Sequence, residues 1–396
     1  MTKLRLAVAG LLSAIGAGQA GAINIVLDYS YDSQGFFNNA TAKATLEKAA
    51  ADLSAILTDS FSPIVVPPDF VSQPPGAPYP LTTTWDWDIS FDHPGVNGGP
   101  EVTIVEPTFA ADEFRIYAGG RSLGGSTLGV GGPGGASYAF DSAYWTSDEA
   151  EIDAITADFE SQRNRGQASG FSSWGGTITF DNDAGTNWHY DWQTGPSSGE
   201  SDLYSVALHE LMHALGWGTS DEWSTLASGG FSGPAVVAEY GGTAPITGGH
   251  WGYGTMSTVL RDGEPQETAM DPDLTSGTRK VLTDLDVAAL DDIGWDIDPG
   301  FTYATPTLPG DTDGDGDIDD SDLGTAFSNY TGPVGAGGGK TAAQGDTDSD
   351  GDVDDTDLGT LFSSYTGPLS PANVPEPASA AFVALGTLLG LRRRHA

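Results

Sequence analysis

The chain of 396 residues has no cysteine, and it has only 15 Lys and Arg against 55 Asp and Glu. Without cysteine no disulfide can staple the fold. A net charge of -40 argues against nucleic acid as a partner, because there is no basic surface to meet the phosphates. Neither a phosphate-binding loop nor a dinucleotide fingerprint occurs. Gly120, Arg121, Ser122, Leu123 and Gly124 satisfy the G-x-S-x-G pattern, which in a hydrolase marks a strand turning into a helix. Here Gly125, Gly131, Gly132, Gly134 and Gly135 follow, and no helix is expected among them.

Long apolar runs are confined to the ends. Lys3 and Arg5 precede an apolar stretch from Leu6 to Ile15 and the small residues Ala20, Gly21 and Ala22. This is the pattern of a secretory signal peptide over residues 1–22, and it predicts an exported protein at the cell surface or outside the cell. In an exported chain without disulfides, calcium is the expected staple. At the other end Val374, Pro375, Glu376 and Pro377 lead into an apolar run from Ala378 to Leu391 and then Arg392, Arg393 and Arg394. That run falls short of the roughly 20 residues a spanning helix needs.

Histidine is scarce as well, with six in the chain, yet His209, Glu210, Leu211, Met212 and His213 form an H-E-x-x-H motif. Side chains four apart share a helix face, so His209 and His213 can present two imidazoles to one metal while Glu210 adjoins the cleft. Ser201 or Asp202 can cap this helix, and Gly216 stops it just past Leu215. A catalytic zinc generally takes three protein ligands and leaves a place for water. Thr219 stands where an extended motif would put the third. His250 is preferred, since the glycines around it let the backbone turn back toward the cleft. Asp221, Glu222, Glu239 and His189 compete for the place. Glu239 would have to come from a second helix, as in thermolysin-like peptidases, and its Gly-rich flanks argue against one.

His213, Ala214, Leu215 and Gly216 match the H-x-x-G turn of the metzincin zinc proteases, and the displaced third histidine resembles their leishmanolysin-like branch. In that resemblance His250 and Trp251 correspond to the third-ligand segment. Glu267, Thr268, Ala269, Met270, Asp271 and Pro272 look like the Met-turn, with Met270 its methionine; Met256 lacks the Asp-Pro that follows. The stretch from Leu282 to Trp295 is similar to the closing helix of these domains, with Thr283 and Asp286 at cap spacing. The resemblance implies zinc held by His209, His213 and His250. Glu210 would be general base for the attacking water, and the reaction would be hydrolysis of a protein or peptide substrate. A tyrosine could also stabilise the oxyanion; Tyr253 and Tyr240 are near in sequence, and the role is assigned to neither. With no cysteine, latency through a thiolate on the zinc is excluded.

The rest of residues 23–300 supports an α/β (α+β) catalytic domain, with a mixed sheet above an active-site helix. Ile23 to Asp28 reads as a strand, and Leu46, Ala50, Leu53 and Leu57 line one face of a helix. Strands are predicted over Glu101 to Val105, Glu113 to Tyr117 and Thr177 to Phe180, and a helix from Ser147 or Asp148 toward Arg163. The Pro-rich stretch from Ser62 to Pro80 and the Gly-rich stretch from Gly119 to Gly135 read as loops.

After a linker over residues 301–309 the composition changes. Asp311, Asp313, Asp315, Gly316, Asp317, Asp319 and Asp322 recur 35 residues later as Asp346, Asp348, Asp350, Gly351, Asp352, Asp354 and Asp357. Each set has the spacing of an EF-hand-type calcium loop, and the apolar residues behind it repeat too. Residues 310–368 resemble a small all-α dockerin module, which implies Ca2+ and a cohesin-like partner. A second linker over residues 369–374 leads to residues 375–396, which resemble a PEP-CTERM sorting signal, the substrate of an exosortase-type processing enzyme. Two other readings stay open: a non-catalytic calcium-binding surface or matrix protein on the same fold, and a thermolysin-like zinc peptidase using Glu239.

Overall fold

The computed structural model describes residues 23–165, 174–260, 264–300, 310–312, 318–333, 339–341, 344–348 and 351–365. The expected signal peptide, the two linkers and the sorting signal lie outside the described residues. Ile23, buried, leads directly into β1 (Asn24–Asp28). Asn39 then caps α1 (Ala40–Ile56), its side chain accepting from the Thr41 and Ala42 amides. Ala42, Leu46, Ala49, Leu53 and Ile56 form one buried face of α1, a helical spacing that aligns it against the sheet.

The segment expected to be a loop after α1 contains the short strand β2 (Phe70–Ser72). It pairs with a strand absent from the sequence reading, β3 (Leu81–Asp92), which also pairs with β4 (Glu101–Val105). Thr83, Trp85, Trp87, Ile89 and Phe91 alternate onto one buried face of β3, the two-residue period of a strand with one covered side. The sheet that carries the site has the order β1, β5 (Glu113–Arg121), β8 (Gly175–Asp181), β6 (Gly129–Pro133). Its first three strands run parallel, and β6 closes the edge antiparallel to β8.

The Gly-rich stretch is thus not a loop. It carries β6 and then β7 (Gly135–Asp141), which crosses to the second sheet and pairs with β3. The glycines are there because a helix passes close behind: a Cβ on Gly131 would run into the Glu210 carbonyl, and one on Gly129 would lie 2.5 Å from the Glu210 carboxylate. From β7 the chain enters α2 (Glu149–Asn164), whose Ile152 and Phe159 cover the Trp85 and Trp87 face as a second core.

Two short parallel strands, β9 (Trp188–His189) and β10 (Ser201–Asp202), deliver the chain to α3 (Leu203–Ala214). Every residue of α3 except His209 is buried, which fits a helix sandwiched between α1 and the sheet. Beyond it come α4 (Asp221–Leu226), α5 (Pro234–Tyr240), the hairpin of β11 (Ile246–Thr247) and β12 (His250–Trp251), and a second antiparallel pair, β13 (Met256–Thr258) with β14 (Pro265–Glu267). α6 (Asp284–Asp292) ends this mixed α/β unit with the expected capping box of Thr283 and Asp286. Two helices of equal length follow, α7 (Asp320–Asn329) and α8 (Asp355–Ser364), over a small core of Ile318, Ala326, Val353 and Leu361. Among the described residues no helix is long and apolar enough to cross a membrane.

Candidate metal centre

Asp202 starts α3 by accepting from the Ser205 amide at 3.0 Å and its hydroxyl at 2.7 Å. Asp202 is fully buried, and Arg279 neutralises it through Nε at 3.0 Å and Nη2 at 2.7 Å. The helix ends where Gly216 takes φ 94°, and the chain turns back across its C-terminus. The Trp217 carbonyl then lies 2.8 Å from His213 Nδ1, while the Thr219 hydroxyl donates to the His213 carbonyl at 2.8 Å. Thr219 therefore closes the helix end.

The β11–β12 hairpin returns His250 to the same spot. Gly218 and Gly249 lie backbone against backbone, and a Cβ on Gly249 would sit 2.8 Å from the Gly218 carbonyl. The Nε2 atoms of His209, His213 and His250 consequently converge, His213 to His209 at 3.2 Å and each of the other two pairs at 3.1 Å. His209 Nδ1 and His213 Nδ1 both face backbone carbonyls, of Ala269 at 2.9 Å and Trp217 at 2.8 Å. A carbonyl only accepts, so in these two rings the proton is on Nδ1 and the Nε2 lone pair points inward. Lone pairs crowded together repel unless a cation lies among them. Ligand nitrogens about 2.0–2.1 Å from a tetrahedral metal are themselves about 3.3 Å apart, close to the separations here. The three histidines can thus hold a metal ion.

Burial lowers all three histidines, His213 to about 4 and His209 well below its ordinary value, so each favours the neutral, ligating form. Glu210 is buried beside them, and burial pushes its carboxyl up to about 8 against the pull of the Gly131 N–H. The cleft above has a volume of about 770 Å³. Residues 126–131 form one wall, Ala269, Pro272 and Leu274 another, and the histidines with Glu210 the floor.

None of the competing ligands reaches this cluster. Glu239 is exposed on α5; that helix forms despite its glycines because the Asp292 carboxylate caps the Ala235 and Val236 amides at 2.8 and 2.9 Å. Asp221 and Glu222 open α4, and His189 Nε2 lies 2.7 Å from both the Asp191 and Thr194 carbonyls. Tyr253 and Tyr240 are exposed and do not line the cleft. Met270 is fully buried, whereas Met256 is exposed on β13.

Two features of the site went unread in the sequence. Asp286, noted only as a helix cap, is fully buried and accepts from five donors: Trp251 Nε1 at 3.0 Å, the Ala269, Met270 and Thr283 amides at 2.8, 3.2 and 3.0 Å, and the Thr283 hydroxyl at 2.7 Å. It ties the strand bearing His250 to the carbonyl behind His209. Lys280, also buried in the cleft wall, bonds Glu267 at 2.7 Å and lies 3.6 Å from Asp271; nothing local in the sequence marks it.

In the C-terminal repeats Asp346, Asp348 and Asp357 form one group able to hold a cation, and Asp352, Asp354 and Asp357 another. Asp357 Oδ1 accepts from the Thr347 amide at 2.7 Å and Oδ2 from the Asp354 amide at 2.8 Å. Asp322 repeats this with Thr312 at 2.6 Å and Asp319 at 2.8 Å, so the last carboxylate of each repeat ties both ends of its loop. Asp311 is buried in the first repeat. Asp313, Asp315, Asp317 and Asp350 lie outside the described residues. Compared with known protein families, curated proteins and solved structures, the chain matches none.

Proposed function

We propose that this chain is an exported zinc endopeptidase of metzincin-like, leishmanolysin-type architecture, steadied by calcium in its C-terminal repeats. The reading rests on the convergence of the three Nε2 atoms on the floor of an open cleft, with Glu210 beside them. Three neutral imidazoles and no carboxylate form a donor set suited to zinc, and His209, His213 and His250 would hold it. Zinc so bound supplies Lewis acidity to a water and to a carbonyl oxygen. Glu210 takes a proton from the water and returns it to the leaving amine. Burial raises its carboxyl to about 8, which favours its keeping the proton between the two transfers. The Gly131 amide holds that carboxylate toward the cleft. The antiparallel edge strand β6 lies along the cleft, where its free side can align an extended peptide. The oxygen-only donor sets of the repeats suit calcium.

The deciding experiment loads the full chain with zinc, measures metal stoichiometry and assays casein or gelatin cleavage. One zinc per chain is expected, with turnover abolished by Glu210→Ala while the zinc remains. Absence of stoichiometric zinc, or turnover indifferent to that substitution, would overturn the reading and favour a non-catalytic matrix role.

A further inference from the structure

A second groove, of about 590 Å³, opens over the second core and shares no lining residue with the metal cleft. One wall is the segment from Val65 to Phe70, pinned at one end by the bridge of Ile64 to Phe109 and at the other by β2. The other wall is a stripe of α2, where Glu151, Ile155, Asp158 and Gln162 recur at helical spacing. Val66, Phe70 and Ile155 pack onto the second core from outside, so the floor is apolar, and Val65 is left 52% exposed. Pro67 and Pro68 offer no N–H, which makes this a groove for side chains and not an edge for an added strand.

The charged residues that line it are Asp69, Glu151 and Asp158, all acidic. None of them enters an ion pair among the described residues, and Asp158 accepts from Gln162 Nε2 of its own helix at 2.6 Å. Their oxygens are not close enough together to share a metal ion. Glu151 and Asp158 are seven positions apart, about 10 Å along the helix, with Asp69 on the opposite wall. Carboxylates that far apart across apolar surface suit two basic side chains with apolar ones between them. A second copy of this chain does not fit, since it carries -40 itself and spends Lys43, Lys48, Arg115, Arg279 and Lys280 on its own carboxylates. An anionic membrane is repelled for the same reason.

We propose that this groove docks a cationic, apolar segment of another polypeptide. The apolar side chains of that segment lie on Val65, Phe70 and Ile155, and lysine or arginine at either end meets Glu151 and Asp158. The proposal stands apart from the endopeptidase reading, because the groove and the metal cleft have no residue in common.

The test uses the full chain with Glu210→Ala, so that the probe is not cut. The probe is a fluorescent peptide whose lysines flank an apolar run of about three residues, which spans about 10 Å when extended. Anisotropy should show saturable binding that weakens about tenfold in the double variant Glu151→Gln, Asp158→Asn. The same charge removed from the exposed pair Glu101→Gln, Glu106→Gln should change the Kd less than about twofold. Serine in place of the apolar run should also weaken binding about tenfold. Hydrogen exchange should slow over residues 151–162 of α2. Equal weakening in the two double variants, equal binding of the serine peptide, no binding, or protection over residues 126–131 in place of α2 overturns the proposal. Arg392, Arg393 and Arg394 follow an apolar run in this chain as well. Tighter probe binding when all three are changed to glutamine would give the groove to the chain's own tail and overturn a separate partner.

Discussion

Replacing Asp286 with Asn tests whether the centre is held from behind as the hydrogen bonds imply. The carboxylate offers Oδ1 to Trp251 Nε1 and the Met270 amide, and Oδ2 to the Ala269 amide and to the amide and hydroxyl of Thr283. Asparagine keeps one oxygen. In its better orientation it serves the three bonds at Oδ2 and turns an NH2 toward the other two donors. Two buried donors are then left unmet at about 1–3 kcal/mol each, so Asp286→Asn should cost about 2–6 kcal/mol. That is a large share of the roughly 5–15 kcal/mol that holds a typical domain. The loss should concentrate on the metal, because Ala269 gives its amide to Asp286 and its carbonyl to His209, and Trp251 follows His250 directly. Removing such a supporting partner typically lowers metal affinity about 10–100-fold. Chemical denaturation and chelator competition would measure the two effects. Ile89→Ala is the control: Ile89 is buried in the second core, its truncation should cost about 2–5 kcal/mol, and metal affinity should stay put. Equal metal loss in both variants, or wild-type affinity in Asp286→Asn, would refute the argument.

Burial also raises the Asp286 pKa, so between about 3.9 and that raised value the folded chain keeps a proton the unfolded chain has released. Wild-type stability relative to metal-free Asp286→Asn must therefore fall as pH rises through that window, and denaturation curves whose gap widens would contradict it. Gly131→Ala should destabilise by about 1–3 kcal/mol and suppress turnover, because its Cβ meets the Glu210 carbonyl, while Gly132→Ala meets nothing within 4 Å and should be near neutral. Equal thermal stability and turnover in the two alanine variants would remove the close approach from the account. His250→Ala should lose zinc and Glu239→Ala keep it, by metal analysis; the reverse would restore the thermolysin-like alternative. Asp357→Ala, which removes a carboxylate shared by both cation groups, should weaken calcium binding in titration calorimetry and shift the melting of the repeats, leaving peptide cleavage intact.

Much of the floor of the site was legible because its determinants are local. His209 and His213 are one helical turn apart, Asp202 and Gly216 bound their helix, and Thr283 with Asp286 announces α6. His250 could be singled out because so few histidines compete. What could not be read is long-range. Asp292 caps α5 from a helix more than 50 positions away, so the glycines around Glu239 gave the wrong answer about that helix. The alternation of Thr83, Trp85, Trp87, Ile89 and Phe91 is local, and its two-residue period marks β3 in the sequence itself.

The misread Gly-rich stretch carries the most information about function. Glycine weakens a strand and normally signals a turn, so a run of glycines before a Tyr-Ala-Phe segment looks like a loop. In the fold the cause is steric: α3 passes so close that side chains at 129 and 131 would strike Glu210, and only glycine lets β6 supply the amide that orients its carboxylate. The features that hid the strand, no bulk and no charge, also leave its outer edge open to another backbone.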